Sequence, residues 1–248
     1  MIVHVPRSDR HFSDYGWLKT HWLFSFSDYY DPANIQFGAL RVFNDDIVAP
    51  GTGFPTHPHH EMEIVTIVLS GEMTHRDSMG NTSVIREGDV QRMSAGTGLT
   101  HSEFNLADTP VHFYQIWIYP DESGLTPSYD QSSFDPELWN DRILPVASGR
   151  GEEGAVTFNT DATIHRAAFS EDFSTSFQVE DDRRVFLYLT SGKLSINDVT
   201  LVAGDQARID LETAIDITAF EASEFILIDV PSCRGWGYDR KTLRGSKK

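Results

Sequence analysis

Cysteine is almost missing from this sequence: Cys233 is the only one in 248 residues. A single thiol closes no disulfide within the chain, and nothing else points to an oxidising compartment. Its surroundings, "PSCRGWG", supply no base, so Cys233 reads as a bystander rather than a nucleophile. Positive charge is scarce as well. Twenty Lys and Arg face 37 Asp and Glu, for a formal net charge of −17. A surface this acidic repels phosphate backbones and anionic lipid, which argues against nucleic acid and membrane as partners. The one basic run, "RKTLRGSKK" at 240–248, reads as a flexible tail over 241–248. No apolar run approaches the roughly 20 residues that span a bilayer. The first residues, "MIVHVPRSDRHF", lack the apolar core of a secretion signal. The expectation is a cytoplasmic, monomeric protein.

Long helical periods are missing too. In their place stand short runs rich in Val, Ile, Phe and Tyr, such as "ALRVFN", "EIVTIVLS", "VHFYQIWIY", "VFLYLTS" and "EFILIDV", separated by Gly, Asn, Asp and Pro. Such runs predict an all-β chain of sandwich or barrel type. One short helix is expected near 135–142, capped by Asp135 with Pro136 in its first turn.

The chain reads as two similar halves joined by the Pro-, Gly- and Ser-rich stretch 119–135. Each half has an apolar strand, a Ser-Gly turn, a hairpin, and Gly-Asp (Gly88-Asp89, Gly204-Asp205) leading into another strand. The predicted units are an N-terminal lobe over 1–130 and a C-terminal lobe over 131–240. The histidines are not divided evenly: nine of ten precede residue 113, and only His165 follows. Aligning Gly192 with Gly71 puts Gln178 and Glu180 where His57 and His59 stand. Aligning Gly204 with Gly88 puts Ile217 and Ala219 where His101 and Glu103 stand. The second half keeps the scaffold without the polar constellation.

That constellation begins in "FPTHPHHEMEIVTIVLSG", residues 54–71. In a strand, residues two apart point the same way. His57, His59, Glu61 and Glu63 would then share a face with Val65, Ile67 and Leu69, and that face should point inward. Buried imidazoles and carboxylates need partners, and a metal ion supplies one. The second piece is "GDVQRMSAGTGLTHSEFN", residues 88–105, where His101 and Glu103 are again two apart. Three imidazoles and a carboxylate suit a first-row transition metal. Parity admits either Glu63 or Glu103 as the carboxylate. His4, His11, His21, His60, His75 and His112 read as surface, loop or packing residues. The two "GTG" stretches, 51–53 and 96–98, do not continue as nucleotide-binding motifs and read as turns.

These two motifs resemble the paired motifs of the cupin superfamily. More specifically, "DYGWLKTHWLFSFSDYYDP", "LRVFNDDIVAPGTGFPTHPHHEMEIVTIVLSG", "HRDSMGN" and "GDVQRMSAGTGLTHSEFN" resemble the pirin family of bicupins. The resemblance implies two packed β-barrel, jelly-roll-like lobes, with one divalent metal, Fe(II) above all, in the first lobe only. Mn, Cu, Ni, Co and Zn are the other metals it admits. It implies His57, His59, His101 and Glu103 as ligands, with Glu63 beside them or, as in other cupins, in place of Glu103. It also implies a quercetin 2,3-dioxygenase-like activity that opens a flavonol-type ring with O2, Glu103 serving as base. Phe54, Phe113 and Trp117 are the candidates for an apolar substrate pocket. The alternative it carries is a metal-binding regulator acting through a protein partner, either a transcription cofactor or a metabolic enzyme.

Overall fold

The computed structural model describes residues 1–232; Cys233 and the basic tail lie outside them. The expected architecture is present: two β lobes, each a seven-stranded sheet facing a four-stranded one. In the first lobe the large sheet runs Ser128–Ser133, Asp89–Ser94, Glu63–Ser70, Val111–Ile118, Leu40–Val48, Leu18–Trp22, His11–Asp14. The small sheet runs Gly53–His59, Leu99–Phe104, Glu72–Asp77, Thr82–Arg86. The second lobe repeats this plan. Its small sheet, Ser174–Gln178, Ala214–Ala219, Lys193–Ile196, Val199–Val202, matches the first strand for strand.

The lobes exchange their margins. Ile2–Val5 pairs with Gln206–Asp210 of the second lobe. Ser128–Ser133 pairs with Asp89–Ser94 of the first. The predicted boundary at 130/131 therefore falls inside a first-lobe strand, because a stretch that reads as linker by composition is a sheet edge. The predicted helix shrinks to one 3-10 turn, Pro136–Trp139, with Asp135 accepting from the Glu137 N–H at 3.0 Å. Asp141 has φ of 51°, so no helix continues past this turn.

The central strands of the large sheets are buried on both faces, which explains their near-continuous apolar runs. In Glu63–Ser70, Ile64 and Val68 belong to clusters inside the first barrel. Val65 and Ile67 point the other way, into a core formed with Phe186, Tyr188, Ile226 and Ile228 of the second lobe. Val111–Ile118 divides likewise: Phe113 packs within the barrel, while Tyr114 and Ile116 pack between the lobes.

The internal alignment needs one adjustment. His57 pairs with His101, whereas Ile217 pairs with Thr175, not Gln178. Three extra residues separate this strand from the Gly192 turn, so alignment on the glycines misplaces it. The conclusion about chemistry stands, since Ile217 and Ala219 are buried and apolar.

Candidate metal centre

Gly53–His59 and Leu99–Phe104 pair antiparallel, which sets His57 directly opposite His101. Gly53 permits this close approach: a Cβ there would lie 2.2 Å from the Glu103 carbonyl oxygen. The ligand atoms of His57, His59 and His101 lie within 4.8 Å of one another, and those of His75, His101 and Glu103 form an overlapping group. The His57 Nδ1–H donates to the Pro55 carbonyl at 2.8 Å, which leaves the Nε2 lone pair free. That Nε2 lies 3.1 Å from His101 Nε2.

Burial sets the electrostatics. His59 and His101 are pushed down to about 3, first by burial and then by the neighbouring imidazoles. They are neutral near pH 7, as metal ligands must be. Glu103 is 1% exposed. Burial raises its carboxyl above the usual range, against the pull of His75 and His57. Gln115 Nε2 donates to Glu103 Oε2 at 2.9 Å. Oε1 is buried with no partner among the described residues. An orphaned carboxylate oxygen beside three imidazoles is the donor set that a divalent transition metal satisfies.

Glu63 is not part of this group. Glu61, with φ of 48°, breaks the strand, so parity does not carry across it. Glu63 continues in the other sheet, on the face that carries Val65 and Ile67 toward the second lobe. It accepts from Ser94 Oγ at 2.6 Å and from Asn159 Nδ2 at 3.3 Å. Burial raises it too, but its hydrogen bonds are to lobe-interface groups rather than to the histidines.

A cavity of about 590 Å3 opens over the cluster. His57, His59, Glu103 and Gln115 line it together with Trp17, Trp22, Phe26, Phe54 and Trp117. Of the three aromatic residues expected there, Phe54 and Trp117 face it. Phe113 does not: it is fully buried among Leu18, Val48, Val68 and Met73. Trp117 meets His59 edge-on at 4.9 Å.

Sequence reading missed several residues, among them Asp46, His75, Asp77 and Gln115. Asp46 lines the cavity, and burial lifts it to about 8. His75, read as a packing or surface residue, is fully buried. His75 Nε2 donates to Asp77 Oδ2 at 3.1 Å, and its Nδ1 lies 3.5 Å from His101 Nδ1. Asp77, despite the upward push of burial, is held below its ordinary value by hydrogen bonds from Asn81 and His75. The signal was "HRD" itself, where His75 and Asp77 sit two apart, but nothing local says that the strand runs beside His101.

Comparison with known proteins places the chain in a family. The Pirin family model matches residues 5–118, and the model for the quercetinase C-terminal cupin domain matches residues 145–230. Quercetin 2,3-dioxygenase of Escherichia coli K12 is 42% identical over 232 residues, covering 93% of this chain and 99% of that protein. A pirin-like protein of Caulobacter vibrioides is 42% identical over 230 residues, covering 92% and 99%. Among solved structures, the E. coli bacterial pirin YhhW in complex with nickel(II) superposes with a TM-score of 0.89 at 40% identity, covering 93% and 99%. With its two cupin lobes and its first-lobe histidine and glutamate cluster, the chain belongs to the pirin family.

Proposed function

We propose that this protein is a metal-dependent dioxygenase that opens flavonol-type rings, acting as a quercetin 2,3-dioxygenase. The observation that carries the proposal is the His57, His59 and His101 group beneath an aromatic cavity, with the orphaned Glu103 oxygen grouped with His101 and His75 beside it. These four residues would hold the metal, with Fe(II) as the proposed native ion. The E. coli relatives support both parts, one by its quercetin dioxygenase name and one by its bound nickel. When bound, the metal supplies Lewis-acid activation of a substrate oxygen and a place to bring O2 beside it.

The chain's own residues do the rest. Trp17, Phe54 and Trp117 offer flat apolar walls to a planar ring system. Glu103 is the base that takes the proton of the ring hydroxyl. Burial makes it a stronger base than a surface carboxylate. Gln115, by holding Oε2, leaves Oε1 to face the cluster. The apolar walls also limit water, which would otherwise compete for the activated substrate.

The test is anaerobic iron loading followed by aerobic consumption of quercetin. Wild-type turnover should track metal content. His101→Ala should lose most of its metal. Glu103→Ala should lose activity by about 100-fold or more, the scale of a lost general base, and should still fold. Full turnover by chelated protein would refute the proposal. Bound metal without turnover would point to a partner-dependent role instead.

A further inference from the structure

His101 is the hinge of the cluster, since its two ring nitrogens face two different histidines. The Nε2 side meets His57 at 3.1 Å, and the Nδ1 side meets His75 at 3.5 Å. Behind His75, the Asp77 carboxylate accepts from His75 Nε2 at 3.1 Å. Asp77 is itself fixed by three further donors: the backbone N–H of Met79 at 2.9 Å, that of Asn81 at 3.0 Å, and Asn81 Nδ2 at 2.8 Å. The Tyr129 ring packs against His75, centroids 4.9 Å apart and tilted by 32°.

We infer that Asp77 and His75 form a relay that fixes the tautomer and orientation of His101, so that its Nε2 lone pair is presented to the metal. The logic is one of donors and acceptors. An ionised carboxylate only accepts, so His75 carries its proton on Nε2. A neutral His75 then has a lone pair on Nδ1. That lone pair faces His101 Nδ1, which must therefore be the N–H. His101 Nε2 is left with a lone pair, aimed at the lone pair of His57 Nε2. Two such nitrogens 3.1 Å apart repel each other unless a cation sits between them. A divalent metal with bonds of about 2.1 Å could be held by both nitrogens at once. The relay thus sets up a ligand pair before the metal arrives. His75 and Asp77 are positioning residues: they act through His101 and do not line the substrate cavity.

The inference rests on the metal reading proposed above, so its test includes a measurement on metal-free protein. Long-range nitrogen–proton NMR of labelled histidine side chains reads the tautomer of each ring at pH 8, with His101→Gln assigning the His101 signals. Wild-type His101 should be protonated on Nδ1. In Asp77→Asn the amide can donate to His75 Nε2, which reverses every donor along the chain and puts the His101 proton on Nε2, where it blocks the metal. His75→Phe keeps an aromatic ring against Tyr129 but removes the acceptor. Both variants should bind nickel 10- to 100-fold more weakly, the range seen when partners of metal-bound histidines are lost. The metal-free variants should unfold as cooperatively as wild type. An Nε2–H tautomer in wild-type His101, or an unchanged tautomer in Asp77→Asn with wild-type nickel affinity, would overturn the relay. If wild type shows the expected tautomer but binds no metal, the dioxygenase reading fails and the relay stands as a structural device.

Discussion

At the scale of single residues, the metal-free site is held together against its own charges. His59 and His101, pushed down to about 3, stay neutral in the fold while the unfolded chain protonates them below about 6.5. The unfolded state then binds more protons, so these two groups make stability rise with pH between about 3 and 6.5. Asp46 works the other way. Its folded value is about 8 against an ordinary 3.8, so across that window the folded state holds the extra proton and stability falls as pH rises. Above 6.5 the histidine contribution has levelled off and the carboxyl contribution remains. Metal-free protein should therefore lose stability from pH 6.5 to 8, by up to about 1.4 kcal/mol per unit for Asp46. Asp46→Asn should flatten that slope in urea unfolding. An unchanged slope would mean that Asp46 ionises freely in the fold. None of this could be read from "RVFNDD", where Asp45 and Asp46 look alike. In the structure, Asp45 turns to His112 and Tyr188 at the lobe interface, and Asp46 turns into the barrel. His57, His59, His101 and Glu103, by contrast, were legible because each pair is two apart on one strand.

At the scale of strands, the centre depends on how closely Gly53–His59 lies against Leu99–Phe104. Gly53 has an ordinary negative φ, so its role is spatial. An added Cβ would meet the Glu103 carbonyl oxygen at 2.2 Å and Phe104 Cα at 2.6 Å, both unyielding backbone atoms. Gly53→Ala should force the strands apart and cost about 1–3 kcal/mol, the usual toll of overpacking. Because the displaced strand carries His57 and His59, metal affinity should fall with it. A variant with native stability and native metal affinity would show that the strands move apart freely. Strand identity was legible from the alternating and apolar runs, but strand membership was not. Parity across 57–63 assumed one continuous strand, and the left-handed residue Glu61 instead passes the chain from one sheet to the other. That single conformation separates Glu63 from the histidines and hands it to Ser94 and Asn159. Phe113 failed for a related reason: it sits on the strand that carries Gln115 and Trp117 to the cavity, yet deeper in the barrel than the cavity reaches.

At the scale of the molecule, the duplication visible in the sequence has become one folding unit rather than two. The core between the lobes joins Phe43 and Tyr114 of the first to Phe186 and Tyr188 of the second, with ring centroids 5.1 to 5.6 Å apart. Tyr188 donates to Asp45 at 2.7 Å, and Tyr114 donates to Thr190 at 3.0 Å. Edge strands are exchanged in both directions. The second lobe, where no metal-holding group of His, Cys, Asp or Glu occurs among the described residues, therefore acts as the wall against which the lobe of the histidine cluster is braced, and Glu63 with Asn159 ties that wall to the strand leading from the site. Calorimetry should show a single unfolding transition, and metal release and loss of β signal should coincide with it. Phe186→Ala, made in the second lobe, should cost about 3–5 kcal/mol. It should lower the temperature of that one transition without splitting it. Two separate transitions, with only the second-lobe one moved by Phe186→Ala, would show that the lobes are stable apart and that the first holds its metal site without the second.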